Sequence, residues 1–193
     1  MYSVEKTKLD GVVILTPQCF ADERGTLFES YSERALREAG IDFSAYQENH
    51  IVNMCAGVIR GFHFQNEPYA QAKLVRCTCG RVDDYAVDLR KGSPTYLKWI
   101  KVLLSQENRK QLFLPKGFAH GVISRSEYSE IQYVVDNFYA REYDRGIRFD
   151  DPTINVDWEN EDPILSEKDR NAPLLAESDC NFIYLENHDE QNR

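Results

Sequence analysis

Between about residues 50 and 150, short strand-like segments follow one another at close spacing, and this pattern restricts the fold more than any other feature of the chain. The stretch "KLVRCTCGRVDDYAVDL" holds two alternating runs around a Cys-Gly-Arg turn, and "TYLKWIKVLLS", "KQLFLP", "GVISRS", "SEIQYVVDNFY" and "GIRF" follow it. Each segment is bounded by Gly, Pro, Asn or Ser, residues that favour turns. The spacing predicts an all-β fold, an antiparallel sandwich or barrel.

The length of the chain, 193 residues, suits one domain with a sizeable hydrophobic core. We expect successive segments as follows: a strand and helix segment at 1–44, the barrel core at about 45–150, turns and short helices at 151–185, and a tail at 186–193. In the first segment, Ser30 followed by Glu33 resembles a helix capping box, and Gly40 suits the end of that helix.

Charge and hydropathy exclude several kinds of partner. The net charge of −9 disfavours nucleic acid, and an acidic protein that binds an anion must gather its basic residues locally. No apolar run approaches the ~20 residues of a membrane span. The N-terminus "MYSVEKTKLD" lacks the basic and apolar blocks of a signal peptide. We therefore expect a cytoplasmic protein with no membrane partner.

The segment "LPKGFAHG", which ends in a glycine after His120, has the Pro-x-Gly-x-x-His spacing of the second cupin motif. A cupin is a jelly roll of two antiparallel sheets. In metal-binding cupins the first motif supplies His-x-His and then a Glu. Here His63 is followed by Gln65 in place of the second histidine, and Glu67 comes too early. Two histidines without a third or a placed carboxylate make a poor zinc or iron site, so we expect a metal-free cupin-type barrel.

Lys73 stands in a strand-like run where a charged residue is unusual. Alternate residues of a strand share a face, so Lys73 lies on the face of Val75 and Cys77, which has the character of a barrel interior. A buried lysine without partners is costly, which makes it paired or functional, unless it snorkels to the barrel mouth. Tyr133 shares the face of Ile131 by the same rule, either as a core residue or with its hydroxyl in use.

Arg60 is harder to place by alternation. A regular strand puts Arg60 and His63 on opposite faces. A bulge or twist at Gly61 would bring both side chains to one cavity, and we predict such a bulge.

A family resemblance rests on eight ordered blocks from about Asp22 to Asp169: "DERGTLFES", "YQENH", "GVIRGFHFQ", "AQAKLVR", "AVDLRKGSPT", "LPKGFAHG", "RGIRFDDP" and "ILSEKD". They resemble dTDP-4-dehydrorhamnose 3,5-epimerases. The resemblance implies a cupin-type jelly-roll homodimer without metal or organic cofactor. The implied reaction epimerises dTDP-4-dehydro-6-deoxy-D-glucose at C-3 and C-5 to dTDP-4-dehydro-L-rhamnose, in dTDP-L-rhamnose biosynthesis.

Epimerisation beside a ketone removes a proton from one face of the sugar and returns a proton to the other, so it needs a base, an acid and a group that stabilises the enolate. The resemblance implies that His63 is the base and that Asp169 orients its ring. It further implies that Lys73 holds the enolate oxygen and that Tyr133 donates the proton on the opposite face.

The resemblance also implies a set of substrate-binding residues. Those that line the substrate pocket are Arg60 and His120, and those that match nucleotide-binding positions are Arg24, Glu29, Gln47, Glu48, Asn49, Asp144 and Lys168. An arginine that contacts the diphosphate is consistent with an acidic protein that gathers its basic residues at the site where it binds an anion.

Departures from the family pattern leave other interpretations open. Thr26 and Leu27 stand where the family usually has aromatic residues, which leaves the nucleotide preference open. Ile51 and Val52 replace small polar residues, and "VVDNFY" follows Tyr133 in place of a Lys-Cys-Thr pattern. The alternatives are an epimerase that acts only at C-3 or only at C-5, a non-catalytic cupin that binds a sugar or anion, and a metal-dependent cupin oxygenase.

Overall fold

A computed structural model describes residues 1–185 of the chain, and the predicted tail at 186–193 lies outside the described residues. The strands are β1 (Tyr2–Lys6), β2 (Val13–Pro17), β3 (Cys19–Asp22), β4 (Gly25–Phe28), β5 (Gln47–Asn53), β6 (Ile59–Gln65), β7 (Lys73–Cys79), β8 (Arg81–Asp88), β9 (Trp99–Ser105), β10 (Gln111–Leu114), β11 (Phe118–Ser124), β12 (Ser129–Val135) and β13 (Asp144–Gly146). The helices are α1 (Glu33–Glu38), α2 (Glu167–Arg170) and a 3₁₀ turn at Leu175–Glu177.

Two antiparallel sheets carry the fold. One sheet has the order β1-β2-β10-β7-β12-β5 and the other the order β13-β6-β11-β8-β9, while β3 and β4 form a separate hairpin. Non-consecutive neighbours in both sheets mean that the chain crosses repeatedly from one sheet to the other, as in a jelly roll. The predicted antiparallel all-β architecture is confirmed.

The core lies between the two sheets. Val75 and Ile131 from the first sheet pack in one buried cluster with Ala86 and Val122 from the second. Strand alternation explains this cluster, because every second residue of each strand faces the opposing sheet. Leu9, Val12 and Ile14 join the same cluster, so we infer that residues 1–185 form one domain.

Helix α1 covers part of the outer surface of the first sheet, where Leu36 packs over Leu15 and Phe113. The N-cap predicted at Ser30 is wrong: Ser32 caps the helix, and its Oγ accepts a hydrogen bond from the backbone N–H of Ala35. The carbonyl of Ser30 instead accepts a hydrogen bond from the side-chain amide of Gln111, which joins the residues before α1 to β10. None of the helices within residues 1–185 has the length and apolar character needed to span a membrane.

Candidate active site

The bulge predicted in β6 is present. Arg60 is opposite Val122 and His63 is opposite His120, so β6 advances by one residue more than β11 between these pairs. Gly61 has φ +134°, and a Cβ added there would lie 2.6 Å from Cα of Gly121. Glycine is therefore required by both conformation and space.

The consequence of the bulge is that Arg60 and His63 lie on one side of β6. Ile59, Phe62 and Phe64 pack together in a buried cluster on the other side. One face of the strand is thus apolar, and the other face presents two polar side chains to the barrel interior.

His63 is paired with a buried carboxylate. Its Nε2 lies 2.5 Å from Oδ1 of Asp169, which belongs to α2. Ser166 caps this short helix, and its hydroxyl donates to Oδ2 of Asp169 at 2.9 Å. Burial alone raises the pKa of Asp169, but the hydrogen bonds from His63 and Ser166 outweigh it, and the pKa is lowered overall. The carboxylate therefore stays ionised, orients the imidazole and stabilises its protonated form.

Lys73 is the first residue of β7 and lies inside the barrel, as strand alternation predicted. Its Nζ is 3.5 Å from the carbonyl oxygen of His63 and 5.8 Å from the ring centroid of Tyr133. Burial lowers the pKa of Lys73 to about 8, and the carboxylates of Asp84 and Asp144 oppose the shift. A buried ammonium group in this position can stabilise a developing oxyanion.

Tyr133 extends from β12 into the same interior, where its ring packs against the core cluster. The ring centroids of Tyr133 and His120 are 6.5 Å apart. Burial raises the pKa of Tyr133, the charge of Asp144 raises it further, and Arg60 opposes the shift. The phenol therefore stays protonated and is suited to donate a proton.

Asp84 is a site residue that the sequence reasoning missed. Its side chain is 0% exposed, and both carboxylate oxygens lie within 3.0 Å of Nε2 of His120. The available signal was strand alternation, since Asp84 shares its face with Val82 and Ala86, two residues of the core. An acidic residue in an inward position of a core strand needs a partner, and His120 provides it.

Arg60 is held by a second residue that the sequence reasoning missed. Its Nε donates to Oδ1 of Asn53 at 2.9 Å, and its terminal nitrogen donates to the carbonyl of Val52 at 3.3 Å. Asn53 in turn donates its amide to the hydroxyl of Ser129 at 3.1 Å. The guanidinium group is thus fixed near Tyr133, whose pKa it affects.

The remaining predicted binding residues divide into two groups. Gln47 and Asn49 share the inward face of β5 and hydrogen-bond to each other at 2.9 Å. Oδ2 of Asp144 accepts a hydrogen bond from the ammonium group of Lys168 at 2.6 Å, and Asp144 is near enough to Tyr133 to raise the pKa of that tyrosine. These four residues belong to the surroundings of the pocket.

Three other predicted binding residues are not brought to this pocket. Glu48 lies on the opposite face of β5 from its neighbours and acts electrostatically on Arg76. Arg24 is in the turn between β3 and β4 and pairs with Asp22 at 2.6 Å. Glu29 follows the same hairpin. Within residues 1–185 we find no hydrogen bond or ion pair that joins Arg24 or Glu29 to the His63 pocket.

The arrangement can move a proton beside a carbonyl group. It combines a histidine paired with a carboxylate, a protonated phenol and a buried ammonium group in one cluster of neighbouring side chains. In the part of the chain that the structure describes, no three or more His, Cys, Asp or Glu side chains are grouped to hold a metal ion.

Comparison with known proteins agrees with this chemistry. Residues 6–177 match the family model described as dTDP-4-dehydrorhamnose 3,5-epimerase. The chain is 46% identical to the dTDP-4-dehydrorhamnose 3,5-epimerase of Shigella flexneri over 178 residues, 92% of this chain and 98% of the relative. It is 47% identical to the Pseudomonas aeruginosa enzyme of the same name over 171 residues, 88% of this chain and 93% of the relative.

Among solved structures, the chain is similar to dTDP-6-deoxy-D-glucose-3,5-epimerase from Legionella pneumophila in complex with dTDP-4-keto-L-rhamnose. The TM-score is 0.92 at 36% identity, and the match covers 96% of this chain and 100% of the other. The predicted cupin-type jelly-roll fold is thereby confirmed.

Proposed function

The chain belongs to the dTDP-4-dehydrorhamnose 3,5-epimerase family, and from this premise we propose that it converts dTDP-4-dehydro-6-deoxy-D-glucose to dTDP-4-dehydro-L-rhamnose, in dTDP-L-rhamnose biosynthesis. The enzyme is an isomerase of a sugar nucleotide. The observation that carries the proposal is the cluster in which Lys73 lies 3.5 Å from the carbonyl oxygen of His63 and 5.8 Å from the ring centroid of Tyr133, beside the His63–Asp169 pair.

The first proposed step is proton abstraction. The 4-keto group acidifies the hydrogens at C-3 and C-5, because the electron pair left behind moves onto the C-4 oxygen. His63 takes the proton through Nδ1, since Nε2 faces Asp169. Among the hydrogen bonds of residues 1–185, none engages Nδ1 of His63. The ionised Asp169 then stabilises the imidazolium ion.

The second proposed step is reprotonation of the enolate. Lys73 holds the oxyanion at C-4 while the phenol of Tyr133 donates its proton to the opposite face of the ring carbon. The carbon keeps its bonds and its oxidation state, and only its configuration changes. Exchange of protons with solvent restores His63 and Tyr133 for the second carbon. These steps transfer protons alone and call for neither a metal nor an organic cofactor.

The substrate is held by the polar residues around the cavity. His120, fixed by Asp84, and Arg60, fixed by Asn53, line the part next to the reacting sugar. Further out, the residues proposed to bind the nucleotide portion are Gln47, Asn49, Asp144 and Lys168. Lys168, the cationic side chain of this set, suits the negative charge of a diphosphate.

Arg24, Glu29 and Glu48 are also proposed to serve substrate binding, and a homodimer would reconcile this with their positions. The β3–β4 hairpin exposes Phe20 and Leu27, so a second copy of the chain could bury it and receive Arg24 at its own pocket. Co-expressed R24A and H63A chains should then regain activity that neither variant has alone at low substrate concentration. No regain of activity would contradict the shared site.

We further propose that the protein acts in the cytoplasm, the compartment predicted from the sequence.

The test of the function is incubation with dTDP-4-dehydro-6-deoxy-D-glucose in deuterated water, followed by NMR. Deuterium at both C-3 and C-5 supports the 3,5-epimerase. Deuterium at one carbon selects the single-site epimerase, and none refutes both. The H63A variant must lose the incorporation, because unchanged labelling would exclude His63 as the base. Stoichiometric iron or zinc in the purified protein would favour the metal-dependent alternative.

A further inference from the structure

In the short loop after β12, residues 136–140, four backbone groups are held by glutamine side chains. Three glutamines supply these hydrogen bonds. Two bonds are donated to loop carbonyls, by Gln71 Nε2 to Asn137 at 2.8 Å and by Gln65 Nε2 to Phe138 at 3.2 Å. Two loop N–H groups donate in return, that of Tyr139 to Gln47 Oε1 at 3.0 Å and that of Ala140 to Gln65 Oε1 at 2.7 Å. The loop conformation therefore depends on amide side chains, each of which can donate and accept.

Gln65 makes two of these bonds from a buried position. The residue is 4% exposed, and its Nε2 also donates to the carbonyl of Tyr69 at 2.7 Å. Both amide hydrogens and the oxygen of Gln65 thus have partners. A glutamate would lose both donors and a methionine would lose all three bonds. Because unpaired buried carbonyl and N–H groups are costly, the loop would shift when the amide is removed.

The loop borders the mouth of the substrate pocket. The hydroxyl of Tyr139 donates to Oδ2 of Asp144 at 3.2 Å, and Asp144 lies close enough to Tyr133 and Lys73 to influence both. Phe138 and Tyr139 are 59% and 56% exposed, and the edge of the Phe138 ring meets Tyr46 at a centroid distance of 5.7 Å. Large exposed rings on a fixed backbone make a pre-organised binding surface.

The reacting sugar must reach His63 inside the barrel, so the diphosphate and the base must extend outward through the mouth. We propose that Gln65 is a positioning residue that holds loop 136–140 in the conformation that binds the nucleotide portion of the substrate. The proposal rests on the proposed function. It also explains why an amide occupies the position that carries a second histidine in metal-binding cupins: the three bonds of Gln65 require both donors and an acceptor.

The test compares Q65M with the wild-type protein in two measurements. Removal of the amide should weaken binding of free dTDP about 10-fold and raise KM by a similar factor, while kcat stays within about twofold. The backbone N–H of Ala140 should exchange its hydrogen about 10-fold faster, because its acceptor is gone. Q106M is the matched control, since the side-chain oxygen of Gln106 accepts a hydrogen bond from the backbone N–H of Gly80 near the surface. This variant should change neither measurement.

Q65E is the second variant in case Q65M does not fold. It keeps the size of the side chain but cannot donate to the carbonyls of Tyr69 and Phe138, so it should also weaken dTDP binding. Unchanged dTDP binding in a folded variant would overturn the proposal. A fall in kcat equal to the rise in KM would also overturn it, because that pattern indicates a general structural role. If the wild-type protein incorporates no deuterium, the proposed reaction fails, whereas dTDP affinity and hydrogen exchange still decide the role of Gln65.

Discussion

Arg60 and His63 are three positions apart in one strand and yet lie on the same side of it, because the intervening Gly61 forms a bulge. A regular strand would send one of the two side chains into the apolar cluster behind the sheet. The common side of Arg60 and His63 thus depends on a bulge in which Gly61 closely approaches Gly121 on the adjacent strand.

Replacement of Gly61 by alanine should destabilise the fold and remove activity together. The φ of +134° strains an alanine by about 1–3 kcal/mol, and the new Cβ must also displace the backbone of β11, which costs about 1–3 kcal/mol more. Chemical unfolding curves measure the change. Gly25 is a matched control, because its φ is also +134° but nothing lies within 4 Å of its added Cβ. An equal loss for G25A and G61A would show that close packing is unimportant.

The D169N variant should lose most of its activity while it still binds dTDP. The amide keeps the shape of the carboxylate but cannot stabilise the imidazolium ion of His63, so kcat should fall by about 10²–10⁴-fold. Deuterium incorporation into the substrate measures the effect on proton abstraction. Asp150, an exposed partner of Arg148, provides the control D150N, which should behave as the wild type. A D169N variant with near-normal incorporation would exclude a role for this pair in catalysis.

The pH dependence of kcat/KM should have a descending limb at about pH 8. Lys73 must carry a proton to hold the enolate oxygen, and burial lowers its pKa to about 8. The ammonium group is therefore present below that pH and is lost above it. Tyr133 does not account for the limb, because its pKa is raised from the ordinary value of 10.0. Initial rates between pH 6 and pH 10 measure the profile.

The K73R variant identifies the group behind this limb. An arginine keeps its charge over the whole range, so residual activity should no longer decline near pH 8. A limb at the same pH in K73R would assign it to another residue. A wild-type profile that stays flat to pH 10 would contradict the role of Lys73 as a buried cation.

The Y133F variant should separate abstraction from reprotonation. His63 can still remove and return a proton on one face, so deuterium should enter the substrate while net epimerisation falls by about 10²–10⁴-fold. Affinity for dTDP should change little, because the proposed role of the hydroxyl concerns the sugar and dTDP lacks that sugar. NMR detects label without inversion. Y128F removes an exposed hydroxyl that bonds Glu130 and serves as the control. Equal loss of labelling and inversion in Y133F would favour a structural role.

Much of the site was predictable because strand alternation is a local rule. The inward positions of Lys73 and Tyr133 follow from their apolar neighbours two residues away, and the bulge at Gly61 follows from a conflict in that alternation. The same rule, applied to Asp84, would have found the partner of His120. The misplaced N-cap of α1 shows where local rules end, since Ser30 and Ser32 can both cap and the packing of the segment selects Ser32.

The sequence by itself determined the all-β antiparallel class, the family, and which side chains face the interior, because periodicity and ordered motifs are properties of neighbouring residues. Only the tertiary structure decided which of those side chains meet. The pairs His63–Asp169 and Gln65–Ala140 join residues 106 and 75 positions apart. Such contacts depend on strand register, on a one-residue bulge and on the path of the loops. These features arise from packing of the two sheets against each other, which no local pattern specifies.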